Sequence, residues 1–432
     1  MRAHCTCGYT NGRDSDRPLL LGTNVVRRVV AVVLGLLVLG AAPASGQGLP
    51  DRLGAILRPA GAHAGAFVLD ATSGTELFAA QAEARKAPAS VEKVYTTTTA
   101  LRRYGVTGTL DTSAVSAAGI GADGTLGGDL VLKGGGDPTF GSRAFARRNY
   151  GGDASVESLA EKLRAAGLRR VQGNVVGDES GWDALRGVPD KGLGRVDPYV
   201  GPLSALSFDR DLTPGGGSYI LKPAPYAAGK LVAALKGQGI SVAGKATAGP
   251  APAGAKALAT VSSPTMGTVV GLTNRPSDNY LAESLVKGLG ARFGSGGSTS
   301  AGANVVEQTI AADGAHPTVV DGSGLSRSDQ TSPHDVVRVL NGVRNDAAGA
   351  AFRSSLPVAG RTGTLRTRMR GTAAAGRCQA KTGTLSNVSS LAGYCRAASG
   401  HDIVFAVIMN NLGLGAAHAE QDQFAATLVR LG

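Results

Sequence analysis

Ser90 and Lys93 stand three residues apart in Ser90-Val91-Glu92-Lys93, a spacing at which one helix face carries both the hydroxyl and the amine. A serine hydroxyl is a poor nucleophile until a base takes its proton. Lysine serves as that base only when desolvation or a nearby cation keeps it neutral. Ser277-Asp278-Asn279 adds two hydrogen-bonding side chains around an aspartate. Lys381-Thr382-Gly383-Thr384 adds a cation and hydroxyl donors suited to a carboxylate, with a glycine that lets a ligand backbone approach. Taken singly, each has a plain structural explanation. Ser90 and Ser277-Asp278-Asn279 read equally well as helix caps, and Lys93 as a solvated side chain. K-T-G is weak in a chain with 64 glycines, and Arg361-Thr362-Gly363-Thr364 nearly repeats it. That copy lacks the lysine and follows Pro357 among loop-like residues, so it is read as a decoy.

The chemistry needs the first motif on a helix, the second at a helix start and the third on a strand. Residues 65–70 and 76–79 flank the turn Thr72-Ser73-Gly74 and read as a hairpin. Pro88 and Ser90 then open a helix carrying Val91, Val94 and Leu101 on one face. Between 105 and 260, short apolar runs such as Leu130-Val131-Leu132 and Val175-Val176 alternate with glycine and proline clusters, which predicts a strand-rich insertion with an exit linker at 248–254. Leu281, Leu285 and Leu289, at i, i+4 and i+8, predict a helix after Ser277. Strands are expected at 376–384, 389–396 and 402–409, then a closing helix with Phe424, Leu428 and Leu431. The order predicts an α+β fold, an antiparallel sheet flanked by helices, in two parts (47–104 and 261–432) around the insertion at 105–260.

At 432 residues, 18% of them charged, the chain is globular and too long for one ordinary domain. The formal net charge is +12, but Lys and Arg are scattered, aromatics make up 4%, and no helix-turn-helix, RNA-recognition or zinc pattern is present. A nucleic-acid partner is not indicated. A basic surface suits an anionic polymer, with a merely solvated surface the plainer reading. Arg27 and Arg28 precede the apolar run 29–39, and Ala42-Pro43-Ala44 follows. Charged flank, short apolar core and A-x-A ending describe a secretory signal peptide over 1–46 with a long n-region, hence an exported protein; an uncleaved anchor is the alternative. The core is shorter than the ~20 residues of a membrane-spanning helix. Cys378 and Cys395, the pair left after cleavage, fall on consecutive predicted strands and are a disulfide candidate, with two buried thiols the alternative. No metal or organic cofactor is indicated.

S-x-x-K, S-D-N and K-T-G in that order form the signature shared by penicillin-binding proteins and class A β-lactamases. The surrounding residues narrow it: Pro88-Ala89-Ser90, Gly134-Gly135-Gly136-Asp137-Pro138, Gly201-Pro202-Leu203-Ser204-Ala205-Leu206, Asn274-Arg275-Pro276-Ser277, Asp321-Gly322-Ser323-Gly324-Leu325-Ser326-Arg327 and Ala380-Lys381-Thr382-Gly383-Thr384-Leu385. From about residue 50 onward the chain resembles the class C low-molecular-mass penicillin-binding proteins, the D-alanyl-D-alanine carboxypeptidase/endopeptidase family.

The resemblance implies a penicillin-binding protein/serine β-lactamase-like domain split by an insertion after the first helix, in keeping with the 187 positions between Ser90 and Ser277. It also implies the roles. Ser90 attacks the carbonyl of the penultimate D-alanine, Lys93 accepts its proton, Ser277 relays a proton to the leaving amine, and Asn279 holds the substrate amide and Lys93. Lys381 adds positive potential that helps keep Lys93 neutral and attracts the substrate's terminal carboxylate, which Thr382 and Thr384 bind, with Gly383 also in the substrate-binding strand. The backbone N–H groups of Ser90 and Thr384 form the oxyanion hole, where each donor is worth about 3–4 kcal/mol. Peptidoglycan stem peptides are the implied substrates and β-lactam antibiotics the covalent inhibitors, with at most peripheral membrane or wall association. The resemblance implies an asparagine near Ser207-Phe208-Asp209, where this chain has none. A serine β-lactamase or esterase would share Ser90 and Lys93, but the deacylating glutamate of class A enzymes in its E-x-x-N setting is not found. A catalytically silent wall-binding protein of the same fold would not need all these groups intact.

Overall fold

Ile403, Phe405, Val407 and Met409 alternate with Val404, Ala406 and Ile408 along the strand Asp402–Asn410, and all seven are buried. A strand apolar on both faces has to be covered on both. Val404, Ala406 and Ile408 meet Val91, Val94, Tyr95 and Leu101 on one side. Phe405, Val407 and Met409 meet Leu53, Leu57, Phe424 and Leu428 on the other. The result is an α+β fold, seen in a computed structural model that describes residues 48–432. The signal-peptide reading of 1–46 lies outside the described residues. Among them, no helix is long and apolar enough to cross a membrane.

Five antiparallel strands form the central sheet in the order Cys378–Leu385, Val388–Arg396, Asp402–Asn410, Ala64–Asp70, Thr75–Ala80. Hairpin, three late strands and closing helix, Leu414–Val429, fall where the apolar pattern puts them. The strand carrying K-T-G is an edge strand, and it begins at Cys378 rather than 376 because Gly376 adopts a positive φ of 74° in the preceding turn. Cys378 faces Cys395 across the ladder, and the two are joined by a disulfide with Cα atoms 4.1 Å apart.

Residues between the first helix and the second motif build two further sheets. One holds five strands in the order Lys256–Ser262, Asp111–Ser116, Leu130–Gly134, Val175–Asp178, Ala246–Ala248; the other is a small parallel one of three. This region is not simply strand-rich. Helices Arg143–Tyr150, Val156–Ala165 and Pro223–Gly237 belong to it. Val156, Leu159, Ala160 and Leu163 form a helical stripe, and the Ser155 hydroxyl caps it by accepting from the Ser158 N–H. Those residues join a core of their own with Leu130, Leu132 and Leu231.

Candidate active site

The first motif does not open an α-helix directly. Residues Ala89–Glu92 form a 3-10 turn that runs into the α-helix Lys93–Tyr104. In a 3-10 turn, residues three apart eclipse one another, which stacks Lys93 on Ser90. Lys93 Nζ donates to Ser90 Oγ at 3.0 Å, to Asn279 Oδ1 at 2.7 Å and to the Ser323 carbonyl at 2.6 Å. Its side chain is fully buried. Burial drives its pKa down from 10.5 to about 8, against the pull of Asp321, Glu283, Asp278 and Glu92, which favour the charged form.

Ser277 sits at a positive φ of 64°, a conformation that costs a non-glycine residue energy and is typical of functional turns. Asp278 caps the helix Asn279–Phe293, its carboxylate accepting from the Leu281 N–H at 3.0 Å. Capping and positioning are thus one arrangement, because the cap fixes where Ser277 and Asn279 emerge. Lys381 Nζ donates to Ser277 Oγ and to the Thr382 carbonyl, each at 2.8 Å. Burial, then the charge of Lys93, holds the Lys381 pKa well below its usual value. The two buried amines therefore compete for positive charge. Desolvation is the main reason Lys93 titrates low.

Helix turn, capped loop and edge strand converge on a cleft of about 210 Å³ walled by Ser90, Ser277, Thr382 and Thr384. A larger cavity, about 820 Å³, lies in the inserted region near Phe145, Phe208 and Tyr226, and includes none of the three motifs. The side chain of Gly383 is absent for a reason. A Cβ there would meet Ser390 Oγ at 2.1 Å, the Pro88 carbonyl at 2.5 Å and the Ser90 N at 3.1 Å. Only glycine lets this strand lie against the turn carrying Ser90. Gly383→Ala is therefore expected to slow acylation by a labelled penicillin roughly 100-fold, the order of effect of a misplacement near 1 Å. Stopped-time gel labelling measures it.

Along the same edge, the N–H groups of Cys378 and Ala380 donate outward, to the Ala374 and Pro357 carbonyls. The period of two in a strand turns those of Thr382 and Thr384 the same way, toward the cleft.

A sequence profile of the D-Ala-D-Ala carboxypeptidase 3 (S13) family matches residues 53–214 and 217–431. The chain belongs to that family. A D-alanyl-D-alanine carboxypeptidase from Actinomadura is 28% identical to this S13 chain, over 94% of it and 91% of the relative. A Mycobacterium tuberculosis carboxypeptidase is 30% identical, over 80% of the S13 chain and 76% of the relative. The crystal structure of penicillin binding protein 4 from Haemophilus influenzae shares the fold, with a TM-score of 0.71 at 20% identity, covering 87% of this chain and 98% of that one.

Several residues that shape the S13 site were not legible as such. Thr364, from the presumed decoy, lies in the cleft wall with its hydroxyl 2.7 Å from that of Thr382. Its resemblance to K-T-G was the signal, set aside for want of the lysine. Asp321 accepts from the N–H groups of Ser323, Gly324 and Ser326, which fixes the Ser323 carbonyl that Lys93 uses.

Arg210 of the inserted region grips Asp278 with two donors, at 2.6 and 3.0 Å, and lies over the Tyr280 ring at 4.6 Å. It is carried on three successive positive-φ residues, Asp209, Arg210 and Asp211, with Asp209 held by the N–H and hydroxyl of Ser142. Asp209 anchors this turn. A second grip, Lys287 to Asp183 at 2.6 Å, ties the same helix to the inserted region. Arg210→Ala leaves Asp278 half-buried and unpaired. We expect a loss of about 2 kcal/mol in urea unfolding together with slower penicillin acylation, whereas Arg147→Ala, in an exposed pair, changes neither.

Proposed function

We propose that this S13 protein is a serine-type D-alanyl-D-alanine carboxypeptidase, D,D-endopeptidase or both, acting on peptidoglycan stem peptides through an acyl-enzyme. The observation that carries the reading is the contact between a fully buried Lys93 amine and Ser90 Oγ at 3.0 Å. Ser90 Oγ forms a bond to the carbonyl carbon of the penultimate D-alanine and gives its proton to neutral Lys93. The developing oxyanion faces the N–H groups of Ser90 and Thr384. The C–N bond breaks, and Ser277, in contact with Lys381, relays the proton taken up by Lys93 to the departing amine, leaving Lys93 neutral and the Ser277 hydroxyl restored. Asn279 bridges Lys93 and the substrate amide. Water then attacks the ester, returns a proton through Lys93 and frees Ser90. Thr382, Gly383 and Thr384 line the substrate strand.

A β-lactam enters the same sequence and stops at the ester. With no E-x-x-N glutamate to activate a deacylating water, the adduct persists, which separates this reading from a β-lactamase. The signal-like segment and the disulfide support export to the wall compartment, with soluble or peripheral association there. Residues 47–104 and 261–432 form the catalytic domain, and 105–260 the insertion that braces it. Digestion of purified muropeptides, read by mass spectrometry, tests the activity. Loss of terminal alanine, cleavage of cross-links, or both fit the reading; muropeptides left intact by a protein that still binds penicillin count against it.

A further inference from the structure

We propose that the arginine-rich segment 361–377, beside the catalytic cleft, is a docking surface for the peptidoglycan polymer itself, gripped through the free carboxylates of neighbouring stem peptides. The inference rests on the function proposed above and extends it from the peptide being cut to the polymer that carries it. Between Asp346 and Asp402 the chain has seven arginines and Lys381 but no Asp or Glu. Two of those arginines are neutralised from outside the stretch, Arg353 by Asp402 at 2.7 Å and Arg368 by Asp422 at 2.6 Å. Arg361, Arg366, Arg370 and Arg377 are exposed and form no ion pair among the described residues.

The fold gathers these four cations. Leu365, Met369 and Ala374 are buried in the core under the closing helix and pin the irregular segment at three points. Arg370 Nε donates to the Arg366 carbonyl at 2.8 Å, and the Arg370 stem lies 3.7 Å from where a Cβ on Gly360 would stand. The Arg361 guanidinium packs over Gly376, 2.5 Å from the place of its missing Cβ and next in the chain to Arg377. Like charges confined in this way repel one another, a cost that a bound polyanion offsets. Guanidinium is also the cation whose planar fork matches a carboxylate. The location fits the partner. Thr364 and Arg368, within the same segment, line the cleft, so the polymer from which a bound stem peptide hangs lies close by. Other partners fit less well. The segment contains no Phe, Tyr or Trp on which a nucleobase could stack. Its two large apolar side chains, Leu365 and Met369, are buried, which leaves nothing to insert into a bilayer.

The test measures co-sedimentation of the Ser90→Ala protein, which leaves the polymer intact, with insoluble peptidoglycan freed of phosphodiester-linked polymers by hydrofluoric acid. Adding Arg361→Gln, Arg366→Gln, Arg370→Gln and Arg377→Gln together should weaken binding about 10-fold at low salt, the lower end of what a focused surface charge contributes. About 1 M NaCl should erase the difference by cutting the screening length to about 3 Å. Lys222→Gln, Lys236→Gln, Lys245→Gln and Lys256→Gln together remove the same charge from exposed positions of the inserted region and should change binding less than about twofold. With Ser90 restored, the four-arginine variant should keep the wild-type kcat on diacetyl-Lys-D-Ala-D-Ala. Should it fold poorly, the pair Arg366→Gln/Arg377→Gln, which leaves Arg361 on Gly376, is read in the same way, with about half the effect on a logarithmic scale. Equal losses from the arginine and lysine sets would reflect net charge alone and overturn the proposal, as would unchanged binding by the arginine variant. Binding that needs the phosphodiester polymers, or that favours vesicles of phosphatidylglycerol and phosphatidylcholine over peptidoglycan, would overturn it too. Muropeptides left uncut by the wild type instead sink the proposed function, a result independent of the binding measurement.

Discussion

Ser90→Ala lowers the hydrolysis of diacetyl-Lys-D-Ala-D-Ala by on the order of 10⁶-fold, the scale seen when a serine nucleophile is removed from an otherwise intact site. The expectation follows from the geometry. Ser90 lines the cleft, and its Oγ meets the buried Lys93 amine that can take its proton. No other hydroxyl in the site has that relation to Lys93. Ser277 Oγ is bound by Lys381 instead. Because the Ser90 hydroxyl makes no other side-chain hydrogen bond among the described residues, the variant should unfold within about 1 kcal/mol of wild type. Rates and urea curves measured together separate lost chemistry from lost fold. Normal hydrolysis by Ser90→Ala would mean that the nucleophile lies elsewhere.

The second large effect is the pH dependence set by Lys93. Its pKa, brought down to about 8, makes the neutral base the minor form at pH 6 and the major form at pH 9. A base must be deprotonated to act, so kcat/KM should climb about tenfold per pH unit below 8 and level off above it. Lys93→Arg keeps the charge and removes the base, since guanidinium does not deprotonate in this range. The loss expected is about 10²- to 10⁴-fold, with the rising limb abolished. A pH-rate profile for penicillin acylation of both proteins measures it. A wild-type profile flat from pH 6 to 9 would remove Lys93 from that role.

The elements that carry the three motifs were legible because their signals are local. Hydrophobic alternation defined the three late strands, i, i+4 spacing defined the helix after Asn279, and order tied three weak motifs into one strong pattern. What escaped is what depends on distant partners. Arg210 sits among glycine- and proline-rich residues with nothing to connect it to Asp278, 68 positions away. Thr364 and Arg368 lie in irregular chain that no periodicity describes, and only the fold lays them beside Thr382. The helices of the inserted region are short, and flanking turn residues outweighed their stripes; Ser155 and Pro223, at the first turns of two of them, were the missed cues. Positive φ at Ala89 and Ser277, next to and within the catalytic motifs, is likewise a product of tertiary packing rather than of residue type.

The most direct test of the account is the site at which penicillin becomes attached. After brief exposure to benzylpenicillin, the protein is digested with trypsin and mapped by mass spectrometry. Cleavage after Lys86 and Lys93 isolates residues 87–93, which contain Ser90 as their one catalytic hydroxyl. The account predicts a single stable adduct on that peptide in wild type, and none in Ser90→Ala. An adduct on any other peptide, or rapid turnover of the drug with no adduct at all, would contradict it.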